Sequence, residues 1–184
     1  MTAHFDISQI SLFGLDGCSA AVCAWRGRFI EVFARAEHSV ADCLRALDQA
    51  EVPLTKDARS PFASTRLKAL GACIKSHDFG GHGKTALTRI ADWERVYETR
   101  AFLAHGEITA TAQGIKIRHI TFDGTSEKCL PIKQFSRLEM NRVLAETEAA
   151  QRLLHQQLGH IKALVAKGKP TETIKNPDPG SSPG

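Results

Sequence analysis

Arg100 and His105 stand five positions apart in the run Arg100-Ala101-Phe102-Leu103-Ala104-His105-Gly106, at the close of a long amphipathic stretch. A guanidinium offers phosphate oxygens a planar fork of donors, and an imidazole takes or gives a proton near neutral pH. The pair therefore suits chemistry at a phosphodiester. A structural use competes with that one, because a cation near the C-terminus of a helix interacts favourably with the helix dipole. His105 directly before a glycine, inside an otherwise apolar Phe-Leu-Ala run, is harder to explain as a merely solvated side chain.

Other residues could support this pair. Glu37 falls four residues after Phe33 and three before Val40, which puts a carboxylate on or beside the apolar stripe of its helix. There it either orients Arg100 or His105 or borders the stripe in solvent, since a partly buried carboxylate usually has a partner. Tyr97, the single tyrosine, lies one turn before Ala101 and reads as a core residue with its hydroxyl at the rim, near enough to approach the motif. Lys84, Arg89 and Arg95 continue the basic character toward Arg100 and suit contacts to a nucleic-acid backbone. Asp92, Glu94 and Glu98 interleave with them, as on a solvated face laced with ion pairs.

Several alternatives are weak. Gly83-Lys84-Thr85 ends like a phosphate-binding loop, but Asp78 stands where the pattern needs its first glycine, and the preceding segment reads as helix rather than strand. His155 and His160 are five apart, so they point to different sides of a helix and make a poor metal pair. Cys18, Cys23, Cys43, Cys73 and Cys129 are scattered without CxxC pairs and read as reduced and mostly buried. No metal and no cofactor is expected.

The elements that must position the motif follow from periodicity. Val22, Phe29, Ile30, Phe33, Val40, Leu44 and Leu47 recur at helical steps and predict one long helix from Ser19 to about Ala50. Ser60-Pro61 predicts the cap and first residue of a second helix running to about His77. A loop at Asp78–Gly83 precedes a third helix from Thr85 to about Ala104, with Gly106 as a stop that can take positive φ. Ile108–Ala112 and Ile115–Phe122 are rich in β-branched residues around Gln113-Gly114 and predict a β-hairpin. Ser136 and Glu139 have capping-box spacing and open a last helix to about Lys167. At 1.5 Å per residue it spans about 45 Å, longer than a compact monomer requires, so part of it is expected to pack on a second subunit. The fold class is mainly α: a four-helix bundle with a β-hairpin inserted between the third and fourth helices. Residues 1–168 read as one domain and 169–184 as a disordered tail, with a short helix or turn at Phe5–Leu15.

Bulk properties frame these elements. The 184 residues suit a single domain with a real core, and 42% apolar with 24% charged residues is ordinary globular composition. A net charge of +4 permits a nucleic-acid partner without demanding one. No uncharged apolar run approaches the length of a membrane helix, and Met1–Gln9 lacks a secretory pattern, so the expected location is cytoplasmic.

Arg100-x4-His105 in the context Arg-x-x-Leu-Ala-His-Gly, on the third helix of the predicted bundle, resembles the HEPN superfamily (higher eukaryotes and prokaryotes nucleotide-binding). The resemblance covers roughly Ser19 to Lys167. It implies metal-independent endoribonuclease activity in a cleft between two subunits of a homodimer, in a toxin–antitoxin, phage-defence or stress setting with an antitoxin or other protein partner. In that scheme His105 shuttles the proton of the attacking 2′-hydroxyl or the leaving oxygen, Arg100 stabilises transition-state charge, and the product is a 2′,3′-cyclic phosphate. Ala101 departs from the family, whose members more often carry a polar residue after the arginine. That departure favours an alternative in which the same fold binds RNA, a nucleotide or a protein without cutting.

Overall fold

A computed structural model describes residues 17–123 and 126–168, with side chains for 19–121 and 130–168. The segment Phe5–Leu15, the tail at 169–184, and the side chains of Cys18 and Cys129 lie outside these residues. The described chain is mainly helical with a small antiparallel sheet. Its helices are α1 (Gly17–Gln49), α2 (Ala63–Ser76), α3 (Gly81–Tyr97), α4 (Arg100–His105) and α5 (Arg137–Lys167), with a 3-10 turn at Lys56–Arg59. Between α4 and α5 run β1 (Glu107–Thr111), β2 (Gly114–Arg118), β3 (Ile120–Asp123), β4 (Ser126–Cys129) and β5 (Lys133–Ser136). No described helix is long and apolar enough to cross a membrane.

The described residues form two compact units, one of residues 17–38 with Ala91–Leu154 and one of Ser39–Ile90 with residues 155–168. The chain passes from one to the other within α1, α3 and α5. In the first unit Trp25, Phe29 and Phe33 follow the helical period of α1, and Trp93 meets Phe33 edge-on at 5.5 Å. All four rings are buried, each stabilising the fold by roughly 2–3 kcal/mol relative to exposure. Trp25 keeps its one polar atom satisfied by donating Nε1–H to the Met140 carbonyl at 2.9 Å. In the second unit Cys43, Leu44 and Leu47 of α1, Leu70 and Ile74 of α2, and Leu158 and Ile161 of α5 are buried.

Both long helices match their predicted spans to within a few residues. The capping box at α5 forms as expected: Ser136 N–H donates to Glu139 Oε2 at 2.8 Å, and Glu139 N–H donates back to Ser136 Oγ at 3.3 Å. The hydroxyl and amide of Ser136 hold the Glu139 carboxyl below its ordinary range.

Other boundaries differ from expectation. α2 begins at Ala63 rather than Pro61. Ser60 Oγ accepts from the Phe62 amide, and the Ser60 and Pro61 carbonyls accept from the Arg66 guanidinium, so these residues form a turn outside the helix. The end of α2 is set by buried His77, whose Nδ1 lies 3.0 Å from the Cys73 carbonyl. α3 begins at Gly81, ahead of the expected Thr85, because Gly80 turns the chain at φ 58°. Cys43 and Cys73 are buried and unbridged as expected, whereas Cys23 is exposed.

The predicted hairpin is present as β1 and β2, paired antiparallel from Glu107↔Arg118 to Thr111↔Gly114. Ala112 and Gln113 are the two turn residues, and Gly114 already belongs to β2. A Cβ at Gly114 would lie 1.9 Å from the Phe135 carbonyl oxygen, so glycine there is fixed by the approach of β5. The hairpin is part of a larger unit: β5 adds to β2 in a three-stranded sheet, and β3 with β4 forms a separate two-stranded ribbon. The strand expected over Ile115–Phe122 is interrupted at His119.

Candidate functional site

The Arg100–Gly106 motif does not end the third helix, as its periodicity suggests, but occupies a helix of its own. At Glu98-Thr99 the chain tightens: the Thr99 amide bonds three residues back to Val96 at 3.0 Å, and regular four-residue spacing resumes with Leu103 N–H to the Thr99 carbonyl at 3.2 Å. The apolar pattern carries no sign of this step, because Thr99 keeps right-handed backbone angles. Leu103 anchors α4 as a fully buried side chain. Arg26 of α1 donates Nη2–H to the Ala104 carbonyl at 2.7 Å, satisfying one of the carbonyls left open at the end of α4.

Gly106 closes α4 through its amide, which donates to the Phe102 carbonyl at 2.9 Å. The expected positive φ is absent: Gly106 has φ −72° and ψ 144°, accessible to any residue. Its glycine is required by space instead, since a Cβ would stand 2.3 Å from the Phe102 carbonyl oxygen and 2.5 Å from Ile117 Cγ2.

Arg100, at the start of α4, meets two of its proposed supporters. Its Nε lies 3.2 Å from Glu37 Oε1, and its guanidinium carbon lies 5.4 Å from the centre of the Tyr97 ring. The Glu37 contact is an ion pair without hydrogen-bond alignment, which leaves both buried atoms without a formal hydrogen bond. Tyr97 is braced edge-on against Phe33 at 6.0 Å. The Arg100 side chain is 34% exposed, so its charge is partly shielded and partly presented.

His105, at the other end of α4, is exposed. Five helical steps of about 100° turn it roughly 140° away from Arg100, so the two side chains of one chain leave the helix in different directions. His105 instead neighbours His119: the rings are 6.4 Å apart at their centres and inclined by 27°. His119 meets Phe102 edge-on at 5.2 Å, and Lys133 of β5 places Nζ 4.0 Å over the Phe102 ring. His119 Nδ1 is buried without a hydrogen-bond partner. Close by in sequence, Glu107 is held across β1 and β2 by Arg118, whose Nε and Nη2 both reach Oε2, at 2.9 and 2.6 Å.

His119, Phe102 and Lys133 were not singled out in the sequence. Their one signal is that His119 breaks the alternation between Arg118 and Ile120, and only strand pairing brings it to α4. Of the residues expected along a nucleic-acid backbone, Arg95 is exposed and ion-paired with Asp92 at 2.7 Å, the arrangement of a solvated face. Lys84 is exposed and Arg89 half-buried, and both belong to the other unit. There His160 stacks on His82 at 5.0 Å and His155 approaches Ser39 at 2.9 Å, so the two histidines of α5 serve separate contacts. Among the described residues no three His, Cys, Asp or Glu side chains gather as a metal set.

No protein-family model, curated protein or solved structure matches this chain. The chemistry of the site therefore rests on its own side chains. They can bind an anion through the Arg100 edge and move protons through exposed His105, with a carboxylate restraining the arginine and an aromatic ring beside Arg100 and beside Lys133.

Proposed function

We propose that this protein is a HEPN-like, metal-independent endoribonuclease or RNA-processing protein with a four-helix bundle plan, acting as a cytoplasmic homodimer in a toxin–antitoxin, phage-defence or stress setting. The observation that carries the reading is the division of labour on α4: Arg100 is restrained by Glu37 and Tyr97 yet one-third exposed, while His105 is exposed at the opposite end. Side chains that diverge by about 140° on one helix suit a cleft in which two subunits face each other, each contributing both groups. His105 moves a proton at the 2′-hydroxyl or the leaving oxygen, and Arg100 offsets charge developing on the phosphate.

Incubation of the purified protein with structured and unstructured RNA in EDTA, beside His105→Ala and Arg100→Ala, tests this reading. Cleavage leaving 2′,3′-cyclic phosphate ends, lost in His105→Ala, supports it. No cleavage of any RNA, or equal cleavage by the variant, overturns it. Ala101 and the Glu37 ion pair, which withholds part of the arginine's charge, favour a second reading as a noncatalytic module binding RNA, a nucleotide or a protein partner. Salt-sensitive RNA binding that persists without any cleavage selects that alternative.

A further inference from the structure

A second imidazole, His119, lies near His105. His119 closes no helix and pairs no strand with its side chain, and its ring nitrogen Nδ1 is buried without a partner. Its main chain already holds the junction of β2 and β3 by accepting the Leu130 amide at 3.0 Å. The ring is fixed by Phe102 edge-on at 5.2 Å and lies nearly parallel to His105 at 6.4 Å. Because His119 Nδ1 is shut away from solvent, the nitrogen left to meet a substrate is Nε2; hydrogen bonds of about 2.8 Å from it and from His105 to different oxygens of one phosphodiester fit ring centres 6.4 Å apart.

Resting on the RNA-cleaving reading above, we infer that His105 and His119 of one protomer are a paired acid and base for phosphodiester cleavage, with Lys133 as the cation that receives the phosphate. One neutral imidazole takes the proton of the 2′-hydroxyl as that oxygen's electron pair forms the new bond to phosphorus. The bond from phosphorus to the 5′-oxygen breaks with its electron pair on the oxygen, which receives a proton from the other, protonated imidazole. The products are a 2′,3′-cyclic phosphate and a 5′-hydroxyl, and the two histidines have exchanged protonation states. No metal or further reactant enters the balance. Charged groups on the elements that meet α4 and its neighbouring strands include Lys133 of β5, Arg26 of α1, which reaches the Ala104 carbonyl, and the mutually paired Glu107 and Arg118 of β1 and β2. Lys133 is held over the Phe102 ring, against which His119 also packs, and in this scheme its ammonium meets the charge of the phosphate. This places both proton transfers on one protomer.

The test compares wild type, His105→Ala, His119→Ala and His119→Asn on an RNA substrate and on the same substrate with sulfur replacing the bridging 5′-oxygen at the scissile bond. A thiolate leaves without protonation, so loss of the acid is rescued on the sulfur substrate and loss of the base is not. Loss of either histidine is expected to cost roughly 10²–10⁴-fold in rate on the oxygen substrate. The bell-shaped pH profile collapses to one limb, and one histidine variant alone regains rate on the sulfur substrate. His119→Asn, which keeps a polar side chain of similar size, guards against a folding defect, and its far-UV spectrum should match wild type. Wild-type rate and pH profile in both His119 variants, with His105→Ala inactive, overturns the pairing and leaves the RNA-cleaving reading intact. Sulfur rescue of neither variant, or of both, also overturns it. A wild-type protein that cleaves neither substrate overturns the functional reading and the pairing with it.

Discussion

Gly106→Ala isolates the contact that joins the motif helix to the sheet. The backbone angles at Gly106 suit alanine, so no conformational strain enters and the whole effect is steric. The added methyl would stand 2.3 Å from the Phe102 carbonyl oxygen and 2.5 Å from Ile117 Cγ2, well inside van der Waals contact. Ile117 is fully buried. The carbonyl can retreat only by stretching its 2.9 Å bond to the Gly106 amide. Overpacking of this kind costs about 1–3 kcal/mol and a weakened hydrogen bond about 1 kcal/mol, for a total of about 2–4 kcal/mol. At about 2–4 °C per kcal/mol for a chain of this length, Tm should fall by about 5–15 °C. Urea unfolding followed through Trp25 and Trp93 fluorescence reads the same loss as a lower midpoint at unchanged slope. Gly27→Ala is the internal control: nothing lies within 4 Å of its added methyl on α1, so alanine there should stabilise by about 0.5–1 kcal/mol. A Gly106→Ala protein as stable as wild type would refute close approach as the reason for glycine at this position.

Glu37→Ala should destabilise the protein by about 1 kcal/mol, since it leaves the half-buried Arg100 guanidinium without its carboxylate. A double-mutant cycle with Arg100→Ala should return a coupling of about 0.5–1 kcal/mol, and additive effects would show that the pair contributes nothing. Burial pushes the Cys43 thiol up to about 12 and the Cys73 thiol up to about 11, against an ordinary value of 9.0. The folded state resists ionisation that the unfolded chain undergoes, so this contribution to stability is whole below about pH 9 and lost as pH rises toward 11 and 12. In the native protein at pH 8, iodoacetamide should modify exposed Cys23 and spare Cys43 and Cys73 until urea is added. Peptide mapping that finds either buried thiol modified at the rate of Cys23 refutes their seclusion.

The amino-acid sequence by itself determined the local, periodic features. The apolar spacing from Val22 to Leu47 specifies α1, Ser136 and Glu139 specify the start of α5, and the β-branched residues around Gln113 specify the β1–β2 hairpin. Each depends on neighbours a few positions apart, which is the range over which helical and strand periods and capping bonds act. Glu37 was legible as a carboxylate on an apolar stripe for the same reason. Whether it met Arg100 or solvent depended on which residues pack against α1, and that is not local information. Tertiary structure alone decided the break at Thr99, where one tightened turn turns α4 into a separate helix without any change in residue pattern. It also decided that Gly106 is glycine for want of space beside Ile117 rather than for a special φ. The site changed most through pairing between strands: His119 and Lys133 lie 14 and 28 positions after His105, and nothing in their spacing relates them to it. Antiparallel register folds β2 back along β1 and lays β5 beside β2, and this long-range hydrogen bonding gives the motif histidine its neighbouring imidazole and brings in the nearby ammonium.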